Sequence, residues 1–133
     1  MNAKTTPPPV RVLVVDDEPE VAEEMLEALS FQGIDGELAF SADEALSIIA
    51  RDEAINAVVT DLKMPGTDGH AFLLKLMSRD TPPVVIVVTG HASAEIEKLV
   101  LAAGASRCFQ KPCGMDDLAA ALYELFENRT IHP

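Results

Sequence analysis

The chain has 133 residues, 48% of them hydrophobic, which suits one domain with a single core. Ten basic against 22 acidic residues give a net charge of −12, so direct binding of nucleic acid by this domain is not expected. Two cysteines cannot build a disulfide framework or a four-cysteine zinc site. Because no segment reads as a signal peptide or a membrane span, we expect a cytoplasmic protein without membrane contact.

Apolar strands and amphipathic helices alternate along the chain. The predicted strands are Val10–Asp16, Ile34–Phe40, Asn56–Asp61, Pro83–Thr89 and Ala105–Gln110. The predicted helices are Pro19–Phe31, Ala42–Arg51, Gly69–Ser78, Ser93–Ala103 and Met115–Glu127, with a loop at residues 63–69. Ser41 and Glu44 form a capping-box pattern, and Gly33 and Gly104 are typical helix ends. The fourth helix is expected to turn Ile96, Leu99, Val100 and Ala103 inward.

Five strands alternating with five helices predict a doubly wound α/β fold with a five-stranded parallel sheet. The strands are almost continuously apolar, which indicates burial on both faces. In the common strand order 2-1-3-4-5, the first and third strands are neighbours at the switch point, where ligands bind. We expect a flexible segment at residues 1–9, one domain at residues 10–128 and a tail at residues 129–133.

Polar residues follow four of the strands: Asp16 and Asp17, then Asp61, Thr89 and Lys111. Each alone has a plain interpretation as a helix cap, a turn residue or a solvated side chain, but all five converge on one rim. Three carboxylates in one cleft repel each other unless a cation neutralises them, and hard oxygen ligands favour Mg²⁺. An aspartate can attack phosphorus, and a metal ion, an ammonium and a hydroxyl can stabilise the developing charge.

Four motifs in this order resemble the receiver domain of two-component response regulators. They are VLVVDDEP (12–19), VVTDLKMPGTDG (58–69), VVTGHA (87–92) and GASRCFQKP (104–112). The resemblance covers roughly residues 10–128 and implies a flavodoxin-like, CheY-like (βα)5 fold.

The resemblance implies that Asp61 accepts a phosphoryl group from a sensor histidine kinase or a histidine phosphotransfer protein. It also implies a switch that controls binding of a downstream effector, with self-phosphorylation and autodephosphorylation but no metabolic activity. Asp16, Asp17, Asp61 and the backbone carbonyl of Lys63 would hold Mg²⁺, for which Mn²⁺ is the alternative. Asp17 is expected to be the direct ligand and Asp16 to act through water.

The other site residues are also implied by the resemblance. Thr89 would bond a phosphoryl oxygen, Lys111 would pair with the phosphoryl group, and the peptide bond before Pro112 would be cis. The side chains of Lys63 and His91 would border the path of the attacking water and so tune the lifetime of the phosphorylated state. For His91 the alternative is a plain solvent-facing loop residue.

One position departs from the family pattern. Receivers usually carry Tyr or Phe three residues before the lysine, where this chain has Cys108. Phe109 cannot substitute, because neighbouring residues of a strand face opposite sides. Cys108 has three possible interpretations: a small filler, a sign of altered output coupling, or a redox input. We favour altered output coupling. The sequence shows no neighbour that would lower the pKa of the thiol, as a redox input requires. Cys113 is expected to pack in the core.

The first helix would be the kinase-docking surface, and it is strongly acidic. Its glutamates are Glu18, Glu20, Glu23, Glu24 and Glu27. They indicate either a basic partner or a solvated face. The face formed by the fourth helix, fifth strand and fifth helix would be the output surface. It shows no clear dimerisation signature, so we expect a monomer or weak dimer.

Three rival functions belong to other classes. A pseudo-receiver would bind partners without phosphorylation, but it would not need the intact set of aspartates, threonine and lysine. A Mg²⁺-dependent phosphohydrolase needs a second acid beside its nucleophile, whereas Leu62 and Lys63 follow Asp61. A flavodoxin-like cofactor protein would need a glycine-rich phosphate loop after the first strand, which here leads into Asp-Asp-Glu-Pro.

Overall fold

The structure is a computed structural model that describes residues 9–64 and 67–131. Its strands are β1 (Arg11–Val15), β2 (Asp35–Ala39), β3 (Ala57–Thr60), β4 (Lys63–Met64), β5 (Thr67–Asp68), β6 (Val84–Thr89) and β7 (Arg107–Gln110). Its helices are α1 (Pro19–Phe31), α2 (Ala42–Arg51), α3 (Gly69–Met77), α4 (Ala94–Ala102) and α5 (Met115–Ile131). Among these described residues, no helix combines the length and apolar character needed to cross a membrane.

Five parallel strands form the main sheet in the order β2-β1-β3-β6-β7. Counting only the strands of this sheet, the order is 2-1-3-4-5, as predicted. Every residue of β3 and β6 is buried, which confirms that the central strands are covered on both faces. The edge strand β2 is more exposed, because it has a neighbour on one side only.

Two hydrophobic clusters cover the two faces of the sheet. Helices α2, α3 and α4 contribute to one cluster, in which Phe72, Leu73 and Leu76 are fully buried. Helices α1 and α5 contribute to the other, with Leu29 and Leu118 at its centre. Burial of each such side chain contributes about 1.5–3 kcal/mol, so both helix layers are held firmly against the strands that carry the polar rim.

The helix ends agree with the predicted signals. Gly33 and Gly104 have positive φ angles of 86° and 119°, a conformation that glycine adopts readily after a helix. Ser41 Oγ accepts a hydrogen bond from the Glu44 N–H at 3.1 Å. The Glu44 carboxylate in turn accepts from the Phe40 N–H at 2.7 Å, one residue before the expected partner.

Two predicted boundaries were wrong. Residues 63–69 were predicted as a loop, but β4 and β5 pair there as a small antiparallel hairpin. Strands of two residues are too short to give a periodic pattern. Helix α5 continues to Ile131, past the predicted end at Glu127, so the predicted tail begins inside the helix. Since the intervening residues Asn128 to Ile131 include neither Gly nor Pro, the sequence carries no stop signal there.

The predicted inward face of α4 was wrong at one residue. Val100 is fully buried, and Ile96 and Ala103 pack at the edge of the same cluster, but Leu99 is 45% exposed. The helix has only nine residues and lies against β7, the edge strand of the sheet. Its buried stripe is therefore too narrow to include Leu99, which lies about 100° from Val100 around the helix axis.

We expect Ser41→Ala to lower the free energy of unfolding by about 1 kcal/mol, because the Glu44 N–H loses its capping acceptor. Urea unfolding measures the change. Ser30→Ala, at an exposed position inside α1, is the matched control and should not lower stability, since alanine favours a helix interior. Equal losses in both variants would show that the Ser41 cap does not stabilise α2.

Candidate functional site

The register of β1 and β3 places two carboxylates side by side. Val15 pairs with Thr60, so Asp16 and Asp61 leave neighbouring strands at the same level. The Asp61 N–H donates to the Val15 carbonyl at 3.2 Å, which continues the ladder past the last paired residues. The backbone of the sheet itself therefore fixes the spacing of the two aspartates.

A single ammonium joins these carboxylates. Lys111 Nζ lies 2.9 Å from Asp16 Oδ2 and 2.9 Å from Asp61 Oδ2. The Lys111 N–H donates to the Thr89 carbonyl at 2.8 Å, which extends the pairing of β6 and β7 by one residue. The Lys111–Pro112 peptide bond is cis, the isomer that the resemblance implies. The lysine thus reaches across the ends of β6, β3 and β1.

The remaining carboxylate oxygens accept backbone hydrogen bonds. Asp16, only 2% exposed, accepts the Glu18 N–H on Oδ1 at 3.0 Å. Asp61, with a side chain that is 12% exposed, accepts the Lys63 N–H on Oδ1 at 3.1 Å. Both oxygens of each carboxylate therefore accept a hydrogen bond. Of the two carboxylates, that of Asp61, the predicted phosphoacceptor, is the more exposed.

Lys111 stays charged at neutral pH. Burial by itself lowers the pKa of Lys111, but the hydrogen bonds and charges of Asp61 and Asp16 outweigh it, so the pKa is raised. At neutral pH the site therefore contains a cation in direct contact with the carboxylates of Asp16 and Asp61.

Thr89 lies at the end of β6 and is 2% exposed. Its Oγ1 accepts a hydrogen bond from the His91 N–H at 3.3 Å, while the His91 residue itself is exposed. Beside it, the Gln110 side chain bonds to the backbone of residues 90–92. The sequence prediction missed this contact, although a polar residue directly before Lys111 at a strand end was a usable signal.

The family model for the response regulator receiver domain matches residues 12–123 of this chain. The chain belongs to the response regulator receiver domain family of two-component systems. Response regulator MprA of Mycolicibacterium vanbaalenii is 38% identical to this receiver over 122 residues, or 92% of this chain and 52% of that protein. Response regulator MprA of Mycobacterium bovis is 37% identical over 116 residues, or 87% and 50%. The receiver thus spans about half the length of these curated relatives.

Solved receiver structures share the fold. The Francisella response regulator 1452 receiver domain superposes with a TM-score of 0.83 at 28% identity, covering 93% of this chain and 99% of that chain. A CheY-like receiver domain protein from Methanospirillum hungatei JF-1 gives a TM-score of 0.83 at 30% identity, covering 91% and 96%. The flavodoxin-like, CheY-like fold inferred from the motifs is confirmed.

The donor chemistry of the receiver site fits a hard cation. Asp16 and Asp61 each offer about four acceptor positions, of which the described contacts use only some. Mg²⁺ is commonly held by one or two carboxylates with several waters. Within residues 9–64 and 67–131, however, no three His, Cys, Asp or Glu side chains form a cluster suited to a metal. The roles of Asp17 and of the Lys63 carbonyl therefore stay predictions.

Cys108 and Phe109 point to opposite faces of the sheet, as predicted. Cys108 packs against the cluster under α2, α3 and α4, whereas Phe109 packs against the cluster under α1 and α5. Cys113, a free thiol like Cys108, packs against the second cluster. Burial raises the pKa of both thiols, and the charge of Glu97 raises that of Cys108 further. A protonated thiol is a weak nucleophile, which argues against redox sensing.

We expect Lys111→Met to lower the free energy of unfolding by about 1–3 kcal/mol at neutral pH, because it leaves two adjacent carboxylates without their shared cation. The raised pKa sets the pH window. The lysine's contribution is complete below the ordinary value of 10.5 and is lost as the pH rises through the higher folded value. The difference in free energy of unfolding between wild type and variant, measured with urea, should therefore begin to narrow only above about pH 10.5.

Lys75→Met is the matched control, since Lys75 is an exposed lysine of α3, and it should change stability by less than about 0.5 kcal/mol. A gap for Lys111→Met that is absent at neutral pH, or that widens at alkaline pH, would contradict a stabilising role for the ion pair.

Proposed function

We propose that this receiver domain accepts a phosphoryl group on Asp61 in a Mg²⁺-dependent reaction and thereby switches the binding of a partner. The observation that carries the proposal is Lys111 Nζ at 2.9 Å from both Asp61 and Asp16. This lysine keeps a cation beside a partly open carboxylate at the switch point of the sheet, where ligands bind in this fold.

The chemistry follows from the side chains. A carboxylate oxygen of Asp61 attacks phosphorus, the P–N bond of the donor phosphohistidine breaks, and the leaving imidazole keeps the bonding pair and is protonated. Lys111 neutralises charge on the phosphoryl oxygens, and the Thr89 hydroxyl donates a hydrogen bond to one of them. Bound Mg²⁺ would supply further charge neutralisation, held by Asp61, by Asp16 or Asp17, and by the Lys63 backbone carbonyl.

The surface next to the site suits a basic partner. A depression of about 300 Å³ on α1 is lined by Glu20, Glu23, Glu24 and Glu27. A second one, of about 470 Å³, runs from α1 past Lys111 and Pro112 to Met115. We propose that a sensor kinase or phosphotransfer protein docks here and brings its phosphohistidine to Asp61.

Further partner assignments rest on the family. We propose a cytoplasmic monomer or weak dimer that acts on a downstream effector, without direct nucleic-acid binding by this domain. Lys63 and His91, both exposed beside the rim, are proposed to set the lifetime of the phosphorylated state.

We expect wild-type protein incubated with Mg²⁺ and acetyl phosphate to gain one phosphoryl group, seen as an acid-stable, base-labile adduct by intact mass. Asp61→Asn should gain none, because it removes the nucleophile. Asp35→Asn, at an exposed aspartate of β2, is the matched control and should be phosphorylated like wild type. Absence of an adduct on wild type, with trapping of short-lived species, would favour the pseudo-receiver.

We expect Asp16→Asn and Asp61→Asn to weaken Mg²⁺ binding roughly tenfold or more, since each removes a carboxylate charge from the site. Backbone amide shifts in an NMR titration with MgCl₂ report the affinity without phosphorylation. Asp17→Asn tests the residue that the structure leaves outside the pair. If it binds Mg²⁺ as tightly as Asp35→Asn, Asp17 is not a ligand.

A further inference from the structure

The side chain of Gln110 ties the segment after β6 to the end of β7. Gln110 Oε1 accepts from the Ala92 N–H at 2.9 Å. Its Nε2 donates to the Gly90 carbonyl at 2.7 Å and to the Lys111 carbonyl at 3.2 Å. A side-chain amide has two N–H donors and one carbonyl acceptor, so its donors and its acceptor are all engaged.

One peptide group links this amide to the Thr89 hydroxyl. The carbonyl of the Gly90–His91 peptide accepts from Gln110, and the N–H of the same peptide donates to Thr89 Oγ1 at 3.3 Å. Because a peptide group is planar, fixing its carbonyl also fixes the direction of its N–H. Gln110 therefore determines which way the His91 N–H points.

Packing does not hold this peptide in place. Gly90 and His91 are exposed, and a Cβ built on Gly90 would meet no atom within 4 Å. Glycine at this position also leaves the backbone free to rotate. The described hydrogen bonds of this peptide are therefore the one from Gln110 to its carbonyl and the one from its N–H to Thr89, while the Ser93 N–H bonds the next carbonyl, that of His91, at 3.0 Å.

The orientation matters for the chemistry of Thr89. A hydroxyl has one donor and two acceptor positions. When one acceptor position is filled by the His91 N–H, the hydroxyl proton is directed away from that N–H and is available to a phosphoryl oxygen. A rotated peptide would offer Thr89 its carbonyl instead, and the hydroxyl would donate to that carbonyl.

We propose that Gln110 is a positioning residue, which orients the Gly90–His91 peptide so that the Thr89 hydroxyl is kept as a donor for the phosphoryl group on Asp61. This inference rests on the proposed function at Asp61. It predicts that Gln110 affects the rate of phosphoryl transfer more than the apparent affinity for a small phosphodonor, because the Thr89 contact strengthens as charge develops.

Gln110→Leu removes all three side-chain bonds at similar volume, whereas Gln110→Glu keeps the acceptor for Ala92 and loses the donors to Gly90 and Lys111. Gln32→Leu is the matched control. Gln32, just after the end of α1, is an exposed glutamine whose side-chain amide donates a hydrogen bond to the Asp116 carboxylate in α5. In NMR hydrogen exchange, His91 should lose protection in both Gln110 variants. Ala92 should lose protection only in the leucine variant.

The second readout is the rate of phosphorylation as a function of acetyl phosphate concentration. Gln110→Leu should lower the maximal rate roughly threefold to tenfold, with little change in the half-saturating concentration, while Gln32→Leu matches wild type. Unchanged His91 exchange in both Gln110 variants would overturn the inference, as would a maximal rate equal to the control. If wild type itself takes no phosphoryl group, the proposed function fails first and this inference fails with it.

Discussion

The ammonium of Lys111 offsets the repulsion between two carboxylates that lie side by side at the carboxyl ends of the inner strands β1 and β3. Parallel pairing of β1 and β3 forces Asp16 and Asp61 together, and their mutual repulsion grows as the sheet and α1 exclude water. Lys111 Nζ offsets that repulsion with equal contacts of 2.9 Å to both. In the proposed function an incoming phosphoryl group would add negative charge to the same cleft, so the cation that offsets the repulsion between the two carboxylates would also serve the proposed chemistry.

The two halves of the site are held by different forces. Asp16 and Asp61 continue strands whose residues are buried in both clusters, so their positions share the stability of the core. Residues 90–92 are largely exposed and are held by a few hydrogen bonds, those of the Gln110 amide among them. Asp61, the proposed nucleophile, therefore shares the rigidity of the core, while residues 90–92 can rearrange by exchanging a few hydrogen bonds. Such a division suits a switch, in which one part must stay still while another moves.

Much of this arrangement could be predicted from the sequence, because it depends on periodicity and strand order. The apolar runs located all five strands of the main sheet, and the rule for parallel sheets placed Asp16, Asp61 and Lys111 at one edge. The capping pattern at Ser41 predicted the start of α2. These features are local, or follow from topology alone, so they need no knowledge of side-chain packing.

What the sequence did not show depends on side-chain conformation. Whether Asp17 joins the other aspartates, and whether Leu99 is covered, depends on packing that no spacing rule contains. The role of the Gln110 amide was not predicted, because Lys111, the next residue, already served as the functional polar residue expected at the end of that strand. Yet this amide bears on the departure at Cys108, whose small, partly buried side chain packs against the core. Beside the bond from the Lys111 N–H to the Thr89 carbonyl, the hydrogen bonds of Gln110 join the segment after Thr89 to the end of β7, the strand that carries Cys108 where the family pattern has an aromatic residue.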